Sequence, residues 1–130
     1  MSKKKDSKTE KRWKAIRQKV VRHMKNLGVY DANYGTSIDV YADLLLQYEI
    51  LNKEWERQGF KVEEEYTNKA GATNMRKIPV VTAIEKLRVD LARYSDMLGL
   101  NPKSYESMKV EKEETSTLDK VLGEISKIGE

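Results

Sequence analysis

Three apolar patterns of helical period, each closed by a glycine, dominate the sequence and favour a helical fold. They end at Gly28, Gly59 and Gly99, and Pro79 stands where the third begins. Glycine adopts the left-handed backbone conformation that commonly ends a helix, while proline is tolerated in a first helical turn. The patterns therefore predict three helices with defined ends.

The second and third helices are expected to pack on each other as an antiparallel pair. The apolar positions of the third recur at heptad-like spacing and are Val80, Ile84, Leu87, Leu91, Tyr94 and Leu98. The second, over residues 38–58, has apolar residues on two faces. One helical partner can cover only one face, so we expect a second copy of the chain to cover the other. The predicted oligomer interface consists of Tyr41, Leu45, Tyr48, Ile50 and Trp55.

Between these helices the period changes to that of a strand. Phe60, Val62 and Tyr66 are spaced as in a strand, residues 68–72 are turn formers, and residues 74–78 can form the return strand. The predicted fold class is therefore mainly α: a central antiparallel helical hairpin with a small β-hairpin insertion, flanked by a basic N-terminal helix and a short C-terminal helix.

The positive charge is concentrated at the N-terminus. Eleven of the first 25 residues are Lys or Arg, against two acidic ones, so this segment carries +9 while the other 105 residues carry −5. Such an asymmetry indicates a polyanionic partner, most commonly nucleic acid. The segment has few apolar residues, so we expect its removal to leave the body folded. The predicted DNA-binding residues are Lys11, Arg12, Lys14, Arg17, Lys19, Arg22 and Lys25.

Two other interpretations of this segment are open. Its basic face can be a solvated surface, or it can lie on anionic lipid with Trp13 as the interfacial anchor. A second positive patch, formed by Lys69, Arg76 and Lys77, is predicted near the hairpin, although a solubilising loop explains it equally well.

Composition predicts five segments along the chain. Residues 1–10 form a disordered basic tail, residues 11–28 a basic N-terminal helix, and residues 37–108 a central helical oligomerisation domain. Residues 109–116 form an acidic linker, and residues 117–130 a C-terminal helix that docks a partner. The apolar stripe of that last helix consists of Leu118, Val121, Leu122, Ile125 and Ile128.

The sequence offers few residues that could act in catalysis or bind a metal. His23 is the only histidine, cysteine is absent, and the acidic run Glu63 to Glu65 alternates between strand faces instead of converging. No Gly-x-x-x-x-Gly-Lys-Ser/Thr phosphate loop is present. We therefore predict no enzyme activity, no catalytic residue, no metal and no cofactor. Without an apolar run of eighteen residues or a signal peptide, we expect a soluble, cytoplasmic protein with no membrane partner.

Four pieces in fixed order resemble a known family. They are a helix ending at Trp55 to Gly59, the hairpin Tyr66 to Gly71, the pair Ile78-Pro79, and the segment Met97 to Ser104 with Leu-Gly-Leu-Asn-Pro at its centre. Over residues 37–108 they resemble the small terminase subunits of tailed bacteriophages, specifically those with a central helical hairpin. That family often has Ser or Thr where this chain has Asn101, and all three are helix N-caps.

The resemblance implies a role in viral genome packaging. Family members form homo-oligomeric rings, bind double-stranded viral DNA near the packaging start, and deliver it in the host cytoplasm to a large subunit that carries the ATPase and nuclease. It also makes the large subunit a candidate partner for the C-terminal stripe, beside the protein's own body or a neighbouring subunit. The alternative function is a non-enzymatic oligomeric adaptor without specific DNA binding.

Overall fold

A computed structural model describes residues 6–128, apart from some side chains of the last helix, and its elements agree with a mainly α fold. In chain order they are α1 (Ser7–Leu27), a 3-10 turn (Ala32–Tyr34), α2 (Gly35–Arg57), β1 (Glu63–Thr67), β2 (Thr73–Lys77), α3 (Pro79–Met97) and α4 (Pro102–Ile128). The predicted fold class, with its β-hairpin insertion between two helices, is confirmed.

Helix α1 begins earlier than the sequence predicted. The Asp6 side chain accepts a 2.7 Å hydrogen bond from the Thr9 backbone N–H, and Glu10 lies in the first turn. Both features stabilise a helix N-terminus. Residues 7–10 are therefore helical, which corrects the expectation of a disordered tail up to residue 10. The first five residues of that predicted tail lie outside the described residues.

The loop between α1 and α2 is shorter than predicted. Asp31 accepts a 2.8 Å hydrogen bond from the Asn33 backbone N–H and opens the 3-10 turn, which leads directly into α2 at Gly35. Helix α2 therefore begins three residues before residue 38, where the sequence placed its start. The local turn at Asp31 ends the loop early.

The β-hairpin follows the end of α2 after a short reversal of the chain. Gly59 and Phe60 both have positive φ angles, 79° and 59°, which reverse the chain. The indole N–H of Trp55 donates a 2.9 Å hydrogen bond to the Lys61 carbonyl, and its ring lies edge-on to Phe60 at 5.2 Å. Strands β1 and β2 then pair antiparallel from Glu63–Lys77 to Thr67–Thr73, which confirms the predicted hairpin, although β1 begins after Phe60 and Val62.

The core consists of two clusters that meet along α2. The first joins α1, α2 and the end of α3 through the buried residues Val20, Met24, Ile38 and Leu98, with Tyr41 and Leu45 packed against them. The second joins α2 to α3 through Ile78, Val80, Val81 and Ile84, with Tyr48, Leu51 and Trp55 packed against them. Helix α2 is therefore the central helix, covered by α3 on one side and by α1 on the other.

This arrangement corrects two expectations. On the second apolar face of α2, Leu45 packs against the cluster that α1 completes, while Ile50 remains 51% exposed, so burial of this face is not in itself evidence for a neighbouring subunit. Met24 of α1 has no solvent exposure, and Val20 is 6% exposed. Because these side chains complete the first cluster, removal of residues 1–25 would open the core instead of leaving the body intact.

Helix α4 continues through the segment that was predicted to be a linker. Residues 109–116 are helical, and the hydroxyls of Thr115 and Thr117 donate to the carbonyls of Glu111 and Glu113 one turn earlier. The charged residues of this stretch are mostly Glu and Lys, which have high helix propensity, and they outweigh the shortage of apolar contacts. The stripe residues Leu118, Val121, Leu122 and Ile125 remain 45–59% exposed. The side chain of Ile128 and residues 129–130 lie outside the described residues.

Candidate nucleic-acid interface

The outer face of α1 carries a row of cations directed away from the core. Val20 and Met24 point inwards and are buried. A period of 3.6 residues places Lys8, Lys11, Lys14, Arg22 and Lys25 on the opposite side, and all five are exposed. We call these five residues the outer row. From Lys11 to Lys25 it extends roughly 21 Å at 1.5 Å per residue.

Two of the predicted DNA-binding residues are held by α2 instead. Arg12 donates hydrogen bonds of 2.7 and 3.0 Å to the two carboxylate oxygens of Glu49, and Arg17 donates one of 2.5 Å to Asp39. The hydrogen bonds from Arg12 lower the pKa of the Glu49 carboxyl and, in return, raise the pKa of the guanidinium. Arg12 and Arg17 therefore have intramolecular counter-charges on the inner edges of α1.

The remaining predicted cations differ in their surroundings. Lys14 lies 3.7 Å from the carboxylate of Glu10, and the Lys25 ammonium lies 5.0 Å from the centre of the Tyr30 ring. Lys11 and Arg22 are exposed on the outer row. Lys19 lies to one side of this row, at the rim of a groove. Four of the seven predicted residues thus lie on the outer row, Lys19 lies at the groove, and Arg12 and Arg17 are paired with α2.

The groove lies between α1 and α2 and was not predicted from the sequence. It has a volume of about 340 Å³ and an apolar floor that includes Ile16, Val20 and Leu45. The residues lining it are Arg12, Ile16, Lys19, Val20, His23, Tyr41, Leu45, Glu49 and Leu100. We call it the α1–α2 groove. His23, the only histidine, is an exposed residue at its edge.

The place of Lys8 on the outer row and the two acidic partners on α2 were not predicted from the sequence. Lys8 belongs to the outer row because α1 begins at Ser7, and the signal for that early start was the capping residue Asp6. The pairing of Arg12 and Arg17 with Glu49 and Asp39 had no local signal, because the partners are 37 and 22 residues apart.

The predicted second patch is largely neutralised by ion pairs. Arg76 lies 2.7 Å from Glu64 on the facing strand and 4.5 Å above the Tyr66 ring centre. Lys77 lies 3.0 Å from Glu85 on α3. Lys69 is exposed in the hairpin turn. The hairpin thus separates Lys69 from two cations that already have carboxylate partners.

Aromatic residues of the central helices pack inside the body, which favours a core role over base stacking. Tyr41 lies against the first cluster, where burial raises the pKa of its hydroxyl. Tyr48 and Trp55 lie against the second cluster, and Tyr94 is half-buried. Of the five predicted interface residues, Ile50 is the most open, at 51% exposure.

Among residues 6–128 with described side chains, His, Asp and Glu nowhere cluster in threes in a way that could hold a metal ion. No described helix combines the length and apolar character needed to cross a membrane.

Comparison with known proteins identifies the family. No curated protein and no solved structure matches the chain significantly. A family model described as phage terminase, small subunit, matches residues 14–115, which include most of α1, both core clusters, the β-hairpin and the first half of α4. A match over most of the chain, together with a helical hairpin that carries a β insertion, shows that this protein belongs to the phage terminase small-subunit family.

Proposed function

We propose that this protein binds double-stranded viral DNA at the packaging start, assembles into a homo-oligomeric ring, and delivers the DNA to the large terminase subunit. The outer row of α1 makes the DNA contacts. Family membership supports the packaging role, and the charge distribution of α1 supports DNA as the direct ligand.

The observation that carries this proposal is the scarcity of carboxylates along the outer row, where, among the described residues, only Lys14 forms an ion pair, with Glu10 at 3.7 Å. The sequence contains no acidic residue between Lys11 and Tyr30. Glu49 and Asp39 of α2 pair with Arg12 and Arg17, which lie on the inner edges of α1 and outside the outer row. The row is also longer than the width of a DNA major groove, roughly 12 Å, so cations at its two ends can reach phosphates on both sides.

The protein's part in packaging is then recognition and delivery. The sequence has no phosphate-binding loop, so we assign ATP hydrolysis to the large subunit and none to this chain. Ring assembly would place several outer rows on one DNA molecule, and multivalent binding raises the overall affinity without any new contact. Lys69, exposed in the hairpin turn, is a candidate for a further DNA contact.

The test compares two variants that lose the same charge at different places. Lys11→Gln with Arg22→Gln removes two cations from the outer row, and Arg12→Gln with Arg17→Gln removes two that are paired with α2. Labelled double-stranded DNA is titrated between 50 and 200 mM salt. We expect the first variant to lower the slope of log affinity against log salt by about 1.8, at roughly 0.9 per phosphate contact.

The second variant is the control and should keep nearly the original slope, since its cations do not face the DNA. Circular dichroism establishes that both variants are folded. Equal slopes in the first variant and the unmodified protein would contradict the proposal and favour the adaptor function. A parallel titration with vesicles of anionic lipid distinguishes a nucleic-acid surface from a membrane surface.

A further inference from the structure

The exposed face of α4 is both apolar and acidic. Its apolar part, the α4 stripe, consists of the described residues Val110, Leu118, Val121, Leu122 and Ile125, which are 45–59% exposed. The helical period places Glu111 and Glu114 on this same face and Lys109 and Lys120 on the opposite one. Glu114 lines a surface depression together with Val110, Leu118 and Val121. A surface that is complementary to this face is therefore apolar and basic.

The α1–α2 groove has that complementary character. Ile16, Val20 and Leu45 form an apolar floor, and Arg12 and Lys19 lie at the rim. Glu49, the acidic residue of its lining, is held by hydrogen bonds from Arg12. The Lys19 ammonium is then the cation best placed to meet a carboxylate from outside, because its side chain is exposed.

The groove is out of reach of the stripe of the same chain. Leu100 lines the groove, and α4 begins two residues later at Pro102. Leu118 is sixteen residues further on, which corresponds to roughly 24 Å along a continuous helix. Among residues with described side chains, the groove lining includes none from α4, and the described stripe residues are exposed. The α4 stripe and the α1–α2 groove are thus complementary surfaces of one chain that do not contact each other.

We propose that the α4 stripe of one copy docks in the α1–α2 groove of a second copy, with Glu114 directed towards Lys19. The contact is head-to-tail, because a stripe on one chain meets a groove on the next, and such contacts generate rings when the rotation closes. The inference rests on the self-association in the proposed function and specifies the surfaces that carry it. It assigns α4 to assembly, where the sequence left the large subunit as an equal candidate.

Cross-linking between two different chains tests the contact directly. The natural sequence contains no cysteine, so introduced thiols are unique. Full-length His23→Cys, with its thiol at the groove, is mixed with full-length Thr117→Cys, with its thiol at the stripe, and treated with a short bismaleimide. We expect cross-linked pairs that contain one chain of each kind. The control partner, Lys120→Cys, has its thiol on the opposite face of α4 and should give at least tenfold less product.

Charge exchange provides a second test by sedimentation in the absence of DNA. Glu114→Lys alone and Lys19→Glu alone should each weaken self-association at least tenfold, and the two changes together should restore it. Asp119→Lys, off the stripe, serves as the control and should leave association unchanged. Leu118→Asp with Leu122→Asp should release monomers that remain helical.

The possible outcomes separate this inference from the proposed function. A ring that persists in Leu118→Asp with Leu122→Asp, without the His23–Thr117 cross-link, would overturn the docking while leaving ring assembly in place. Loss of large-subunit ATPase stimulation in that persisting ring would assign the stripe to the large subunit. An unmodified protein that binds DNA yet remains monomeric at every concentration would refute self-association itself.

Discussion

The guanidinium of Arg12 on α1 donates hydrogen bonds to both carboxylate oxygens of Glu49 on α2. Its Nε lies 3.0 Å from one carboxylate oxygen and its Nη2 lies 2.7 Å from the other. The two residues are 37 positions apart, and this contact, together with the buried side chains of Val20 and Met24, defines how α1 is rotated against α2. That rotation directs Lys11 and Arg22 outwards and leaves the α1–α2 groove open between the helices.

The stability of the fold should fall as the solution is acidified. The Arg12 hydrogen bonds lower the pKa of Glu49 below 4.5, and Arg57 lowers that of Glu54 from 4.5 to about 2. A carboxyl group whose pKa is depressed by folding stabilises the native state above its unfolded pKa, and this contribution is lost as the pH falls through the folded value. We expect the loss to develop between about pH 4.5 and 2.

Denaturant unfolding of Glu49→Gln at pH 7, 5 and 3 isolates one part of this dependence. The substitution should cause a small loss at pH 7, because surface ion pairs contribute little, and a flatter decline on acidification. Glu56→Gln, an exposed residue of the same helix, is the control. Identical pH profiles for Glu49→Gln and the unmodified protein would contradict the role of this pair.

Truncation of Met24 should destabilise the whole body. Its side chain is completely buried between α1, α2 and the end of α3, so Met24→Ala leaves a cavity in the first cluster. We expect a loss of about 2–5 kcal/mol in the free energy of unfolding. Val89→Ala on α3, where the side chain is 60% exposed, should change it by less than about 0.5 kcal/mol. Comparable effects at both sites would mean that α1 does not complete the core.

Two glycines that flank the loop between α1 and α2 should respond oppositely to alanine. Gly28 ends α1 with φ at 74°, where a side chain is strained, so Gly28→Ala should cost about 1–2 kcal/mol. Gly35 has helical angles and nothing within 4 Å of an added Cβ, so Gly35→Ala should be neutral or stabilise by about 0.4–1 kcal/mol. Thermal unfolding measures both, and equal shifts would contradict the left-handed end of α1.

The hairpin turn should depend on one side-chain oxygen. The Oδ1 atom of Asn68 accepts 3.0 Å hydrogen bonds from the backbone N–H groups of Ala70 and Ala72. Asn68→Ala removes this acceptor and should accelerate amide exchange at Ala72, while Asn68→Asp retains it and should not. Hydrogen exchange measured by NMR distinguishes these cases. Unchanged protection in Asn68→Ala would mean that the backbone hydrogen bonds of the turn, from Asn68 to Ala72 and from Gly71 to Asn68, hold it without the side chain.

Much of the fold was predictable because its signals are local. Gly28, Gly59 and Gly99 have positive φ angles at or just after the helix ends, and Pro79 occupies the first turn of α3, as predicted. The hairpin and the pairing of α2 with α3 were also predicted correctly. Two predictions from composition were wrong: the tail was expected to extend to residue 10, and residues 109–116 were expected to form a linker. In both segments the local signals for helix and for irregular chain are weak and opposed. The Asp6 cap starts α1 in a segment whose composition favoured disorder. The helix propensity of Glu and Lys keeps α4 continuous where composition favoured a linker.

The sequence by itself determined the helical period, the helix ends, the hairpin turn and the excess of positive charge at one end, because each depends on neighbouring residues. Only the tertiary structure decided which cations remain available and which apolar faces remain open. Glu49 and Asp39 form ion pairs with Arg12 and Arg17 and leave other cations of α1 available. Helix α1 packs against Tyr41 and Leu45 of α2, where a second chain was expected. Both outcomes depend on how α1 lies across α2, which is fixed by contacts between residues far apart in the chain.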